Sequence, residues 1–343
     1  MSNILFKLER NGLINQLMSF EIAILLSNQL KKNILIHNIS SKTNLPISSD
    51  WVNTYNRNFI KDQQHPRLID IVEYDKTVDI CFTDDLLENK NNFLVIDKLR
   101  HYYFNNTNLE DNDFSYGRQN LFNFIDSSLY IQDTNVWYSV FFLNKDKDFY
   151  KTLKLIKFKD EYVKLSKKIS ESLGLFNGIH VRLTDHMFWM TPLTMEKLQD
   201  YTDQLNSNLK LVVATDDSEN IVFKKIKDNV IFLDKYIVEN FLQEFNSLEF
   251  HDESIFGLIT NLVMHDSVDF IGSPGSTYSG YIQRNIYQKN NNYRWKIFGE
   301  NQLGDSQPYS FSNYYPEDLR SWWREWKESK IDYDIDDKIE HGI

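Results

Sequence analysis

The sequence predicts an α/β fold with parallel sheets and helices on both faces. Two observations carry this. The first 37 residues form a strand-loop-helix-strand unit, and from Gly174 to about residue 298 short apolar runs alternate with helical patterns. A third observation is size: 343 residues correspond to about two domains at roughly 150 residues each.

Each element has a local reason. Residues 4–8 are an apolar run and read as a strand. Residues 16–32 read as a helix, because Leu17, Phe20, Ile24 and Leu25 fall near a 3.6-residue spacing. Residues 33–36 (NILI) are a second strand. Residues 38–136 are rich in Asn, Asp and Lys, and periodicity does not order them. Within them, 68–72 and 93–96 are short apolar runs, and 119–131 reads as a helix. Residues 137–143 (WYSVFFL) read as a strand, and 153–173 as a helix ended by Gly174. The alternation then becomes regular. Strands are expected at 178–183, 211–214, 230–233, 268–271 and 295–298. Helices are expected at 194–205, 218–226, 252–264 and 277–287. Residues 316–329 (PEDLRSWWREWKES) read as an aromatic helix packing back on the first domain, followed by an acidic tail. In doubly wound sheets ligands sit outside the carboxyl ends of the strands.

Composition narrows the function classes. Hydrophobic residues make up 41% and charged residues 25%, the balance of a soluble globular chain. With 11 Gly and 6 Pro, fibrous and low-complexity architectures are excluded. Lys and Arg total 38 against 49 Asp and Glu, a net charge of −11. Nucleic acids and anionic membranes require clustered positive charge, so neither is an expected partner. A single cysteine, Cys81, excludes an internal disulfide. The N-terminus shows no basic segment followed by a long apolar run, so no signal peptide is expected. No apolar run approaches the ~18 residues that span a bilayer. A cytoplasmic protein without membrane insertion is the expectation.

Four motifs lie at strand ends. Asn11, Gly12 and Asn15 occupy a strand-to-helix turn, where Gly allows close backbone approach and the helix start favours an anion. Asn15 either caps that helix or bonds a ligand. His180 and Arg182 share one face of a strand, and Val181 and Leu183 the other. Arg suits a pyrophosphate through forked, charge-assisted bonds; an Arg182–Asp185 surface pair is the alternative. Asp216 follows the strand LVVA and either contacts a ribose or base or, with Ser218, caps the next helix. The stretch Gly272 to Gly280 (GSPGSTYSG) offers hydroxyls and N–H groups at a helix start, a cradle for phosphate or simply a structural loop. The chain lacks GxGxxG, a Walker A ending and a Gly-x-Ser-x-Gly elbow. Its eight His are scattered, so no metal site is expected.

In order, GLINQL, GIHVRLTD, VVATDD and VDFIGSPGSTYSG resemble the successive motifs of the GDP-fucose-dependent fucosyltransferase superfamily, which includes protein O-fucosyltransferases, α1,6-fucosyltransferases and the nodulation fucosyltransferase. The last three motifs, over residues 178–280, carry most of the likeness. The resemblance implies a GT-B fold, with two Rossmann-like domains facing across a cleft. The expected boundaries are 1–165 for an acceptor-side domain, 166–310 for a nucleotide-sugar domain, and 311–343 for the returning helix and tail. It implies inverting, metal-independent transfer from GDP-fucose, with no cofactor. It places Gly12, Asn15, His180, Arg182, Asp216, Asn261, Ser276, Thr277 and Tyr278 at the GDP-fucose site, with Arg182 on the diphosphate. Expected acceptors are a glycan, a lipid-linked oligosaccharide or a protein.

Three departures stand out. Leu183 stands where many members carry a second Arg. Asn261 stands where the family carries a guanine-reading Asp; Asn lacks the charged, two-oxygen acceptor that guanine N1 and N2 require. It either does a weaker version of that job or the base is not guanine. The first loop lacks the acidic base of some protein-modifying members, which leaves Glu9 and Asp185 as candidate catalytic carboxylates.

Overall fold

The computed structural model describes residues 3–7, 13–37, 68–74, 80–83, 93–96, 102–103, 119–131, 154–183, 193–226, 230–273 and 276–289. These fall into two compact units. One takes the described residues of Met1–Pro46, Phe59–Lys164 and Leu248–Leu258. The other takes Leu165–Ser247 and those from Ile259 onward.

In the first unit, β1 (Asn3–Lys7), α1 (Leu13–Leu30) and β2 (Asn33–His37) form the expected opening unit. A one-turn helix α2 (Leu68–Ile71) leads into β3 (Val72–Tyr74). Strands β4 (Ile80–Thr83), β5 (Phe93–Ile96), β6 (Tyr102–Tyr103), β7 (Gln119–Asn120), β8 (Ser128–Ile131) and β9 (Ile156–Phe158) follow. A five-stranded sheet runs β4-β2-β1-β8-β5, with every pair parallel. Strands β3 and β9 pair antiparallel, and β6 and β7 pair parallel. Helix α1 is buried on all sides except at Asn15, Asn28 and Gln29. It is therefore a core helix, not an amphipathic surface one. No described helix is long and apolar enough to cross a membrane.

The helix expected at 119–131 is not formed. That stretch is β7, a 3-10 turn at Leu121–Phe124, and β8. Strand β8 sits between β1 and β5 with Leu129 and Ile131 fully buried, so sheet pairing overrides local helix pattern. The helix expected at 153–173 starts later. Residues Ile156–Phe158 are β9, and α3 occupies Asp160–Leu173. Gly174 ends it as expected, at φ 70°, with its N–H donating to the carbonyls of Ser170 and Glu171.

The second unit is built on β10 (Phe176–Val181), α4 (Met195–Thr202), β11 (Lys210–Thr215), β12 (Val230–Phe232), α5 (Leu233–Asn246), β13 (Asp269–Ile271) and α7 (Thr277–Lys289), together with the part of α6 (Glu253–Met264) from Ile259 onward. Only a 3-10 turn, Ile221–Lys225, stands where a helix over 218–226 was expected. Helix α5 was not foreseen. Its sheet runs β12-β11-β10-β13, all parallel. All six positions of β10 are buried, because both sheet faces are covered. One face packs Ile179, Val181, Leu183, Val213 and Ile271 against Leu198, Tyr201, Val222 and Phe223. The strands expected at 137–143 and 295–298 and the helix at 316–329 lie outside the described residues.

Candidate functional site

The strand order of the second unit reverses beside β10. Chain order runs outward through β11 and β12, then returns to place β13 on the other side. That reversal falls at the carboxyl ends of β10 and β13, the place where open α/β sheets bind ligands. His180, Arg182, Ser273 and the first turn of α7 all stand there.

Two serines clasp this edge. The Arg182 backbone N–H donates to Ser273 Oγ at 2.9 Å, and that hydroxyl donates to the His180 carbonyl at 2.9 Å. The Ser273 N–H donates to Ser279 Oγ at 3.0 Å, and Ser279 Oγ lies 2.5 Å from His180 Nδ1. The exit of β10 is thus tied to the loop after β13 and to the first turn of α7. Close approach makes it possible. A Cβ on Gly272 would lie 2.6 Å from Ser279 Cβ.

Helix α7 starts at this edge with Ser276 as its cap. Ser276 Oγ accepts from Ser279 N at 3.4 Å, and its carbonyl accepts from Gly280 N at 3.0 Å. The helix N-terminus carries partial positive charge. Arg182 stands one residue beyond β10, so this edge brings a cationic residue and a helix N-terminus to the same strand ends. That pairing suits a phosphate or diphosphate.

Tyr278 is held from three sides. Its ring centroid lies 4.6 Å from that of His180, its hydroxyl is 2.7 Å from Thr260 Oγ1, and its carbonyl accepts from Asn261 Nδ2 at 3.2 Å. Burial raises the phenol's pKa, so it stays neutral. Asn261 is fully buried, and His265 Nε2 lies 2.9 Å from its Oδ1. Both ends of the Asn261 side chain are therefore engaged inside the protein. Burial, then Lys289 and Arg284, hold His265 well below its usual pKa, so its imidazole is neutral at pH 7.

Asp216 Oδ1 accepts from Leu183 N at 2.8 Å and so pins β11 to the exit of β10. It does not cap the following 3-10 turn. Asn220 does, accepting from Val222 N at 3.1 Å, and Asp217 holds Asn220 in place. Asn15 stands in the first turn of α1, not at its cap, and its carbonyl accepts from Ser19 Oγ. Gly12, Glu9 and Asp185 lie outside the described residues. Among the described residues no group of three or more His, Cys, Asp or Glu is placed to hold a metal.

The structure thus brings together His180, Arg182, Ser276, Thr277, Tyr278 and Asn261. Sequence reasoning placed Ser273 and Ser279 in the hydroxyl-rich loop without their role as clasps, and it missed Thr260 and His265. Only His265 carried a local signal, four residues after Asn261 on one helix face.

No family model and no curated protein matches the sequence. Several solved structures resemble the fold. The chain is similar to NodZ alpha-1,6-fucosyltransferase co-crystallised with GDP, at 13% identity and TM-score 0.47, over 82% of this chain and 91% of that one. Fucosyltransferase NodZ from Bradyrhizobium gives 12% and 0.47, over 82% and 92%. POFUT1 in complex with GDP-fucose gives 10% and 0.43, over 87% and 99%. These proteins fall in the group that the sequence motifs resemble. At such identities and TM-scores they carry neither a family nor a role over to this chain.

Proposed function

We propose that the chain is a glycosyltransferase that moves fucose from GDP-fucose to a hydroxyl of a glycan, lipid-linked oligosaccharide or protein, with inversion and without a metal ion. One observation carries the proposal: His180 and Arg182 are clasped by Ser273 and Ser279 to the N-terminal turn of α7 at the switch point of a parallel sheet. When the bond from fucose C1 to the diphosphate oxygen breaks, negative charge grows on the β-phosphate. A cation and a helix N-terminus aimed there stabilise the transition state more than the ground state. The proton of the acceptor hydroxyl passes to a carboxylate, for which Glu9 and Asp185 are the candidates. In this reading the fold is of the GT-B type, and the acceptor is cytoplasmic.

A second reading keeps the chemistry and changes the base. Asn261 is committed to His265 and to the Tyr278 carbonyl, which favours a nucleotide sugar other than GDP-fucose. Thermal unfolding with GDP, GDP-fucose, UDP, ADP and CMP in EDTA separates the readings. Ligand at ~100-fold its Kd stabilises by about 2.7 kcal/mol. Stabilisation confined to GDP and GDP-fucose is the expected result. A response to UDP or ADP instead selects the second reading. No response to any nucleotide overturns both.

A further inference from the structure

His265 is nine-tenths buried just beyond α6 and takes no part in the chemistry proposed above. Its contacts lead to the site. The Tyr278 carbonyl can only accept, so the Asn261 atom facing it is the Nδ2 donor. The other end, Oδ1, faces His265 Nε2 at 2.9 Å and must accept a hydrogen bond from its N–H. His265 is therefore the Nε2–H tautomer, donating to Asn261, which donates to Tyr278. Tyr278 in turn lies against His180.

We infer that His265 is a positioning residue that acts through Asn261 to hold Tyr278 against His180, and so sets the His180 edge of the nucleotide-sugar site. Asn261 is then a link in this relay and not a reader of the base. The effect on ligand rests on the glycosyl-transfer reading; the effect on Tyr278 does not.

Each link has its own substitution. His265→Leu keeps much of the volume and removes the donor. His265→Gln restores an N–H at similar reach. Asn261→Asp still accepts from His265 but has no N–H for the Tyr278 carbonyl. Two readouts apply: the ring-current shift of the His180 imidazole protons by NMR, and the Kd for GDP by calorimetry. His180→Gln assigns the His180 signals, and Tyr278→Leu defines their unstacked position.

The expected result is that His265→Leu and Asn261→Asp move His180 to the unstacked position and weaken GDP at least tenfold, while His265→Gln preserves both. The inference is overturned if His180 keeps its shift in Asn261→Asp, or if His265→Gln fails to rescue. Tighter GDP binding by Asn261→Asp also overturns it, since that is the behaviour of a base reader. If His265→Leu does not fold, Asn261→Asp and His265→Gln decide. If the unaltered protein binds no GDP, the guanine reading fails, and the His180 shift alone settles the relay.

Discussion

Arg182 is the side chain on which turnover depends most in the proposed reaction. Removing one preorganised charge-stabilising group typically costs about 10²–10³ in rate. Arg182→Ala is expected to lower GDP release from GDP-fucose by that factor, measured in steady state. Arg182→Lys retains the charge but loses the fork, and should fall between the two. Near-normal release by Arg182→Ala would remove Arg182 from the mechanism. Gly272 is the steric counterpart. Its added Cβ would stand 2.6 Å from Ser279 Cβ, so Gly272→Ala must push α7 off the sheet edge. Overpacking of this kind costs about 1–3 kcal/mol. A lower Tm together with lost nucleotide binding is expected; an unchanged Tm would show that α7 yields freely. The sequence singled out His180, Arg182, Ser276 and Tyr278 because polar residues at strand exits stand out against apolar runs. It placed Ser273 in a hydroxyl-rich loop but could not reveal what that hydroxyl bonds. That hydroxyl serves the backbone of Arg182, 91 residues away in the chain, and such a contact leaves no local pattern.

Among the elements, α6 deserves its own test because it presents Thr260 and Asn261 to Tyr278. It begins at Asp252, a fully buried carboxylate that accepts from Ile255 N at 3.0 Å. Loss of an N-cap costs about 1 kcal/mol, and each kcal/mol lowers Tm by roughly 2–4 °C in a domain of moderate size. Asp252→Ala should show that drop and Asp252→Asn little of it. Equal losses in the two would mean that the charge matters more than the cap. Sequence reading placed this helix well, since Asp252 precedes a sustained apolar pattern. It missed α5 although Leu233, Ile237, Phe241 and Phe245 recur at helical spacing and are buried. The reason is the junction. Strand β12 passes straight into α5 at Phe232, with no side-chain cap and no turn residue to mark the change. The opposite error at 119–131 has the opposite cause: a four-residue apolar strand gains its stability from β1 and β5, which local pattern does not see.

At the scale of the molecule, each unit has its own parallel sheet, reversing beside β1 in one and beside β10 in the other. This plan was legible because fully buried parallel strands read as continuous apolar runs. Long-range pairings such as β8 with β1 were not. One buried group should also be visible in global stability. The folded state holds His265 neutral, with a pKa well below the usual value, through burial and the nearby Lys289 and Arg284. An unfolded His binds its proton near pH 6.5. Below that pH the unfolded chain therefore holds one more proton than the folded one, and stability must fall as pH falls. The slope is about 1.4 kcal/mol per pH unit from this residue, continuing until the pH reaches its lowered folded value. Above about pH 6.5 both states are neutral and the contribution is flat. Other histidines and the many carboxylates titrate in the same scan, so the informative quantity is a difference. His265→Gln keeps the hydrogen bond to Asn261 and cannot be protonated. Its Tm should match that of the unaltered protein near pH 7.5 and exceed it increasingly from about pH 6.5 downward. Parallel curves across that range would show that His265 is protonated in the folded state, and with it that the Nε2–H tautomer is not enforced by its surroundings.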